Sequence, residues 1–306
     1  MKLLRVLDLF SGMGGLSYGF KREGFDVTGV DKFVHVEKTY RALVGSEFIR
    51  MDLEESSVTG DYDIIVGGPP CRPWSPVNLA RRGSSHRDYG LVGRFFDHVL
   101  VIEPQVFVME NVPFLLGDEE FSRQLSRATS AGYSVDYALI RYSDYGASTA
   151  RRRLIVVGIR DGSASELINR LRNPSVRTKT VRNAIYGLRE LEKGEKKDHV
   201  WPELRTIWKY RSKYLTGKFG WRILRWDEPA PSFGNVMKTY TLHPDSNLDT
   251  GIYRVVSVLE VSRIMGFNHG FHFPEDVGMG HRYQMLADSV SPAFSASLAS
   301  IIKEFL

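Results

Sequence analysis

Cysteine is nearly absent from this chain: Cys71 is the only one among 306 residues. An intrachain disulfide is thereby excluded, and so is a cluster of thiolates around a metal within one chain. The lone thiol is left for packing or for chemistry. Long apolar runs are also lacking, since no segment approaches the roughly 18 uncharged apolar residues of a membrane span. The strand-like stretch 3–10 starts too early to leave room for a signal peptide. The expectation is a protein of the cell interior, cytoplasmic or beside the nucleoid, with no membrane partner. Internal repeats and low-complexity tracts are missing too, which disfavours solenoid and fibrous architectures. What remains, 42% hydrophobic and 25% charged residues, is the composition of a globular protein with one large domain and a smaller one.

The net charge of +5 conceals a strong polarity along the chain. Residues 151–226 carry 20 Lys and Arg against 7 Asp and Glu, which leaves 21 against 29 elsewhere. Four of the five tryptophans (Trp201, Trp208, Trp221, Trp226) lie in the basic stretch with Tyr210 and Tyr214. Positive charge interleaved with aromatic rings suits a polyanion whose bases can also be touched. A solvated basic surface over a small aromatic core is the plainer alternative.

Short β-branched runs alternate with amphipathic stretches from the start: 3–10 then 14–24, 27–31 then 34–44, 62–66, then 91–102 before 106–110. That rhythm predicts βαβ units and a doubly wound, mostly parallel α/β sheet. Further strands are expected at 135–140 and 154–159, and helices at 257–265 and 289–302. Between about 163 and 253 the period is lost among Pro, Gly, Trp and charge clusters, which reads as an inserted smaller domain. The expected organisation is thus a catalytic domain of 1–162 plus 254–306 and a basic insert of 163–253.

Two segments carry candidate chemistry. Asp8-Leu9-Phe10-Ser11-Gly12-Met13-Gly14-Gly15-Leu16 follows a strand and opens a helix, where glycines permit a tight turn and close approach of backbone amides to a ligand. Asp31 closes the next strand, placed for ribose hydroxyls, and Asp52 closes the third, within reach of an adenine edge. The glycines do not spell Gly-x-Gly-x-x-Gly, which favours a phosphate-free adenosine over a dinucleotide; a tight turn without ligand is the alternative. Gly67-Gly68-Pro69-Pro70-Cys71-Arg72-Pro73-Trp74-Ser75 then follows the strand ending at Val66. Cys71 therefore sits past a strand's carboxyl end, where open α/β sheets place ligands, and not inside a strand or helix like a packed cysteine.

The ordered blocks resemble those of the DNA cytosine-5 methyltransferase family. Asp8 to Gly15 looks like its first motif, Pro69-Pro70-Cys71 its nucleophile motif, Glu110-Asn111-Val112 its Glu-Asn-Val motif, and Arg151 to Arg153 its arginine motif. Arg263-Ile264-Met265-Gly266-Phe267 and the stretch from Tyr283 to Val290 are similar to its two closing blocks. The resemblance covers most of the chain except the basic insert, where the family places a variable target-recognition domain. It implies an S-adenosylmethionine-dependent fold, S-adenosylhomocysteine as product, double-stranded DNA as partner and a role of the restriction–modification kind, without a metal. It implies a cofactor site from Phe10, Gly12, Gly14, Gly15, Leu16, Asp31, Lys32, Asp52, Leu53, Pro69, Ser289 and Val290. The catalytic residues it implies are Cys71, Glu110, Arg153 and Arg151.

The chemistry explains why these residue types belong together. Cytosine C5 is a poor nucleophile; thiolate addition at C6 makes C5 enamine-like and able to take a methyl group from a sulfonium. Charge then develops on N3 and O2, which Glu110 and Arg153 would stabilise, with Arg151 in support. A paired base is out of reach in the stack, so the resemblance implies that one cytosine is flipped out. Residues 72–89, with Ser75, Arg81, Arg82, Ser84, Ser85, His86 and Arg87, have the composition of a lid that contacts phosphates on closure, or of an idle surface loop.

Some positions depart from the family pattern. Arg72 replaces a Gln after Pro-Cys, Thr149 and Arg152 replace Gln and Glu, and Ala287-Asp288 replaces Gly-Asn, where a carboxylate cannot donate as an Asn amide can. A monomer is expected. The rival readings are a tRNA cytosine-5 methyltransferase of the same fold, a DNA-binding module with an inactive pocket, and, at the level of the sheet alone, a nicotinamide dehydrogenase.

Overall fold

A computed structural model describes residues 3–74, 83–174, 176–203, 207–217, 220–267 and 270–306, and the chain divides into two compact units. The first comprises Met1–Ile140, Arg152–Ser175 and Phe294–Leu306. Its strands are β1 (Arg5–Leu9), β2 (Asp26–Asp31), β3 (Glu47–Arg50), β4 (Ile64–Gly67), β5 (Val106–Asn111), β6 (Ser134–Arg141) and β7 (Arg152–Ile159), which form one sheet in the order β3-β2-β1-β4-β5-β7-β6. β1 pairs in parallel with β2 and β4, β2 with β3, and β4 with β5, while β7 runs antiparallel to β5. The expected doubly wound α/β sheet is therefore present, with its order reversing between β1 and β4.

The strands read as unbroken apolar runs because both sheet faces are covered. Ile64, Ile65 and Val66 are fully buried, as are Val106, Phe107 and Val108. Helices α1 (Gly15–Arg22) and α2 (Val34–Val44) follow β1 and β2, and α3 (Leu91–Ile102) precedes β5. Right-handed crossovers on the two sides of the switch point send these pairs to opposite faces. Phe95, Phe96, Phe107 and Tyr133 meet edge to face with centroids 5.2–6.3 Å apart. Each such buried ring contributes on the order of 2 kcal/mol from area alone. The C-terminal helix (Pro292–Lys303) returns to α1, where Ser295 Oγ donates to the Gly15 carbonyl at 2.8 Å. A Cβ on Gly19 would stand 2.3 Å from the Ala296 amide nitrogen, so that approach requires glycine.

Two helices of the first unit were not expected from the sequence. α4 (Glu119–Ser130) carries a thin apolar stripe on a polar helix, and α5 (Ala164–Arg172) is short, capped by Ser163, with Leu167, Ile168 and Leu171 buried beside β7. The second unit comprises Arg141–Arg151 and Val176–Ala293. These limits differ from the 1–162, 163–253 and 254–306 read from the sequence. Charge and loss of period mark composition, whereas α5 joins the first unit through its apolar face.

Regular structure is sparse in the second unit: α6 (Val181–Ile185), α7 (Arg211–Leu215), α8 (Val258–Met265), α9 (Met279–Asp288) and single bridges such as Ile223 with Leu242. Tyr210, Tyr214, Trp221 and Tyr240 form an aromatic cluster, with Lys213 Nζ 4.3 Å from the Trp221 centroid. Ser257 caps α8 in a reciprocal pair with Glu260, and the fully buried Glu260 takes Arg254 in a fork at 2.8 and 2.7 Å. Burial holds nearby His243 down at about 4, so it is neutral near pH 7 and Arg254 is the cation paired with Glu260. By length and composition the stretch Met279–Lys303 would suit a membrane span, more than the sequence reading allowed. It is two helices, α9 and the C-terminal one, separated by extended backbone at Ser289, and 67% of its most apolar window is buried.

Candidate active site

The parallel register aligns Leu9, Gly67 and Met109, so the segments following β1, β4 and β5 emerge at one edge of the sheet. β7 enters at that edge from the opposite direction, since Asn111 pairs with Leu154. Glu110 pairs with Ile155, and the period-two alternation of a strand puts Arg153 on the same face. Arg153 Nε accordingly lies 2.6 Å from Glu110 Oε1, both side chains about one-tenth exposed. Arg153 Nη1 donates to the Arg152 carbonyl at 2.7 Å, so these contacts use two of the five guanidinium N–H groups.

The segment leading to Cys71 is tied to the end of β5. A Cβ on Gly68 would stand 3.3 Å from Glu110 Oε2, so this glycine lets the carboxylate lie close. Asn111 Nδ2 donates to the Pro69 carbonyl at 3.1 Å while its Oδ1 accepts the Val112 amide at 2.8 Å. Cys71 is half-buried against the apolar core and opens a short 3-10 turn, in which the Trp74 amide donates to its carbonyl at 3.0 Å. Arg72 lies 4.0 Å from Asp88, which gives the departure from the family pattern a partner. Ser84, Ser85 and Arg87 are exposed, and the His86 Nδ1 accepts the Asp88 amide at 3.0 Å. Ser75, Arg81 and Arg82 lie outside the described residues.

At the other end of the edge, the glycine-rich turn takes left-handed backbone at Phe10 (φ +56°), Gly12 (φ +52°) and Gly14 (φ +91°). A Cβ on Gly14 would collide with Val44 at 2.5 Å and Tyr40 at 2.8 Å, whereas one on Gly12 would meet nothing within 4 Å. The turn is thus closed toward the core and open on its other side. Asp31 accepts the Gly12 amide at 3.1 Å and the Lys32 amide at 2.7 Å, and desolvation nonetheless raises its carboxyl above the ordinary range. Such a carboxylate gains from a further donor, which a ribose hydroxyl would supply. Lys32 Nζ pairs with Asp52 at 3.0 Å; desolvation of Asp52 is outweighed by the Glu54 amide and Lys32, which hold it below its usual value. Leu16 and Leu53 are buried beside the turn's strands, and the Leu53 carbonyl accepts Arg94 Nε at 2.9 Å. Together these residues fit a phosphate-free nucleoside.

Three expected residues belong to the second unit: Arg151, Ser289 and Val290. Arg151 is buried and its carbonyl accepts the Tyr142 amide at 3.1 Å; Ser289 Oγ donates to the Val290 carbonyl at 3.0 Å. The departures there also have partners. Thr149 Oγ1 donates to the Ala230 carbonyl at 3.0 Å, and Asp288 accepts Gln284 Nε2 at 2.8 Å. Two residues at the sheet edge went without a role in the sequence reading. Asn111 stood in its motif with no contact to name. Asp8 is fully enclosed, accepting Ser17 Oγ at 2.6 Å with Tyr40 behind Ser17 at 2.9 Å, and desolvation raises it to about 7.

Residues 4–304 match the C-5 cytosine-specific DNA methylase family. The type II methyltransferase M.FnuDI of Fusobacterium nucleatum is 27% identical over 335 residues, spanning 99% of this chain and 95% of that one. The type II methyltransferase M.MthTI of Methanothermobacter thermautotrophicus is 27% identical over 328 residues, spanning 98% and 97%. Among solved structures, a chain described as a prophage-encoded DNA modification methyltransferase from E. coli superposes with a TM-score of 0.73 at 23% identity over 98% of this chain and 99% of that one. The Dnmt2 methyltransferase of S. pombe gives 0.72 at 15% identity over 99% of each, again a likeness of fold. With the motif blocks in order on this sheet and a match over nearly the whole length, the chain belongs to the C-5 cytosine-specific DNA methylase family.

Proposed function

We propose that this chain methylates C5 of a cytosine in duplex DNA, using S-adenosylmethionine, as a sequence-specific enzyme of the restriction–modification kind. The observation that carries the reading is the Arg153–Glu110 pair at 2.6 Å on the strand end that Asn111 ties to Pro69, two residues before Cys71. The second unit, which holds most of the basic, tryptophan-rich stretch, is the part read as recognising DNA.

Phe10, Gly12, Gly14, Gly15, Leu16, Asp31, Lys32, Asp52, Leu53 and Pro69 would hold the cofactor in the first unit. Bound S-adenosylmethionine supplies an electrophilic methyl group on a sulfonium. The Cys71 thiolate adds to C6 of a flipped cytosine, and the electron pair of the C5–C6 double bond becomes available at C5. Glu110 protonates or hydrogen-bonds N3 as charge moves onto the ring. Arg153 keeps Glu110 aimed at the base and turns its remaining donors to O2. Loss of the C5 proton after methylation expels the thiolate and restores the aromatic ring.

Cys71→Ala is the direct test. Wild-type protein with S-adenosylmethionine is expected to form a denaturant-stable adduct on 5-fluorocytosine DNA and none on the matching RNA, and Cys71→Ala to form neither adduct nor methylated product. Undiminished methyl transfer by Cys71→Ala would end the mechanism, and adducts on RNA alone would move the substrate to RNA.

A further inference from the structure

We propose that Asp118 is a positioning residue for the nucleophile turn, binding both Trp74, where that turn ends, and Tyr89, where the chain enters α3. The inference rests on reading Cys71 as the nucleophile. Trp74 Nε1 donates to Asp118 Oδ2 at 2.8 Å and Tyr89 Oη donates to Asp118 Oδ1 at 2.6 Å, with the two rings 5.5 Å apart. The Trp74 ring is buried, and the backbone bond from the Trp74 amide to the Cys71 carbonyl at 3.0 Å makes the position of Cys71 depend on where that ring is held.

A role confined to capping α4 does not account for this arrangement. Asp118 does cap α4, accepting the Glu120 amide at 2.9 Å. A cap needs one acceptor, however, and Ser163 and Ser257 serve α5 and α8 with a hydroxyl. Asp118 instead collects donors from three separate segments. Burial first, and the Asp118 acceptor after it, push the Tyr89 hydroxyl up to about 12, so it keeps the proton it donates. A second link, between Arg72 and Asp88 at 4.0 Å, joins the same two segments. An indole only donates, so Trp74 depends on an acceptor at this place.

Asp118→Ser keeps a capping oxygen for α4 but is too short to reach either ring. Its kcat is expected to fall about tenfold, and the rate of trapping on 5-fluorocytosine DNA in parallel, with KM for S-adenosylmethionine within about twofold of wild type. Asp118→Asn restores one acceptor and offers an amide that the Tyr89 hydroxyl can accept, so it should regain most of the loss. Tyr89→Phe removes a single oxygen and should lower kcat about threefold. Added to Asp118→Ser it should cost nothing more, because the contact is already gone. Asp118→Ser that folds and keeps kcat within about twofold would overturn the proposal, as would additive losses in the double variant. If Asp118→Ser does not fold, Tyr89→Phe decides, and an unchanged kcat overturns it. Cys71→Ala in the same assay separates the two readings: a dead Cys71→Ala beside an unaffected Asp118→Ser removes only the positioning role, whereas an active Cys71→Ala removes both.

Discussion

A carboxylate–arginine pair from each unit, Glu110 with Arg153 and Glu260 with Arg254, uses the same chemistry to a different end. Glu110 and Arg153 meet at the carboxyl edge of the sheet, with Nε 2.6 Å from Oε1 and each side chain still about one-tenth exposed. Glu260 and Arg254 meet in a two-toothed fork, with Glu260 fully enclosed and its Oε2 also accepting the Ser257 amide at 2.8 Å. The second pair satisfies its own carboxylate and leaves nothing for a ligand. The first lies at the edge where the Cys71 segment emerges, within reach of a group bound there. The difference teaches that placement decides what an ion pair can serve, since one enclosed in the core can only stabilise whereas one at the carboxyl edge of the sheet stands where a ligand can reach it.

Removing a partner from the closed pair should give the largest effect. Glu260→Ala leaves the largely buried Arg254 without its anion and removes the Glu260 half of the α8 capping box, which is expected to remove about 3–5 kcal/mol from the second unit. Four of the five tryptophans lie at 201–226, so a fluorescence melt reads that unit, and an unchanged transition would break the comparison on its structural side. Glu110→Gln should do the opposite. Its amide keeps the shape but cannot supply the acidic proton, so kcat should fall about a hundredfold with the melting temperature little changed. A variant that melts early yet turns over normally would invert the two roles.

Asp8 sharpens the comparison as a buried carboxylate for which the described residues provide hydroxyl and amide donors but no arginine. Desolvation raises it from 3.8 to about 7 in the folded protein. Between about pH 4 and 7 the folded state therefore keeps a proton that the unfolded chain has released, so this group's contribution to stability falls as pH rises through that window and levels off above it. Asp8→Asn resembles the neutral acid at every pH. Its melting temperature should gain on wild type between about pH 5 and 7.5, and a constant difference would show that Asp8 does not titrate there.

Much of the first unit was legible because its helices and strands are amphipathic or apolar over their whole length. Val34–Val44 and Leu91–Ile102 were read with the limits they have as α2 and α3. α4 was missed because Phe121, Gln124 and Ala128 leave too thin a buried stripe to mark a period. α5 was assigned to the basic insert because its surface charge hides an apolar face that only β7 reveals. Asp118 carried no signal at all, since its partners Trp74 and Tyr89 are distant in sequence and ordinary in type.

The sequence by itself determined the residue types available for chemistry: one thiol, a glycine turn after the first strand, and acids and arginines at strand ends, each specified by local backbone needs and short-range pattern. Only the tertiary structure decided which of them meet. The antiparallel return of β7 places Arg153 on Glu110, and the fold of the second unit closes Glu260 on Arg254. Such pairings depend on strand direction and register, which long-range packing sets and no local period encodes.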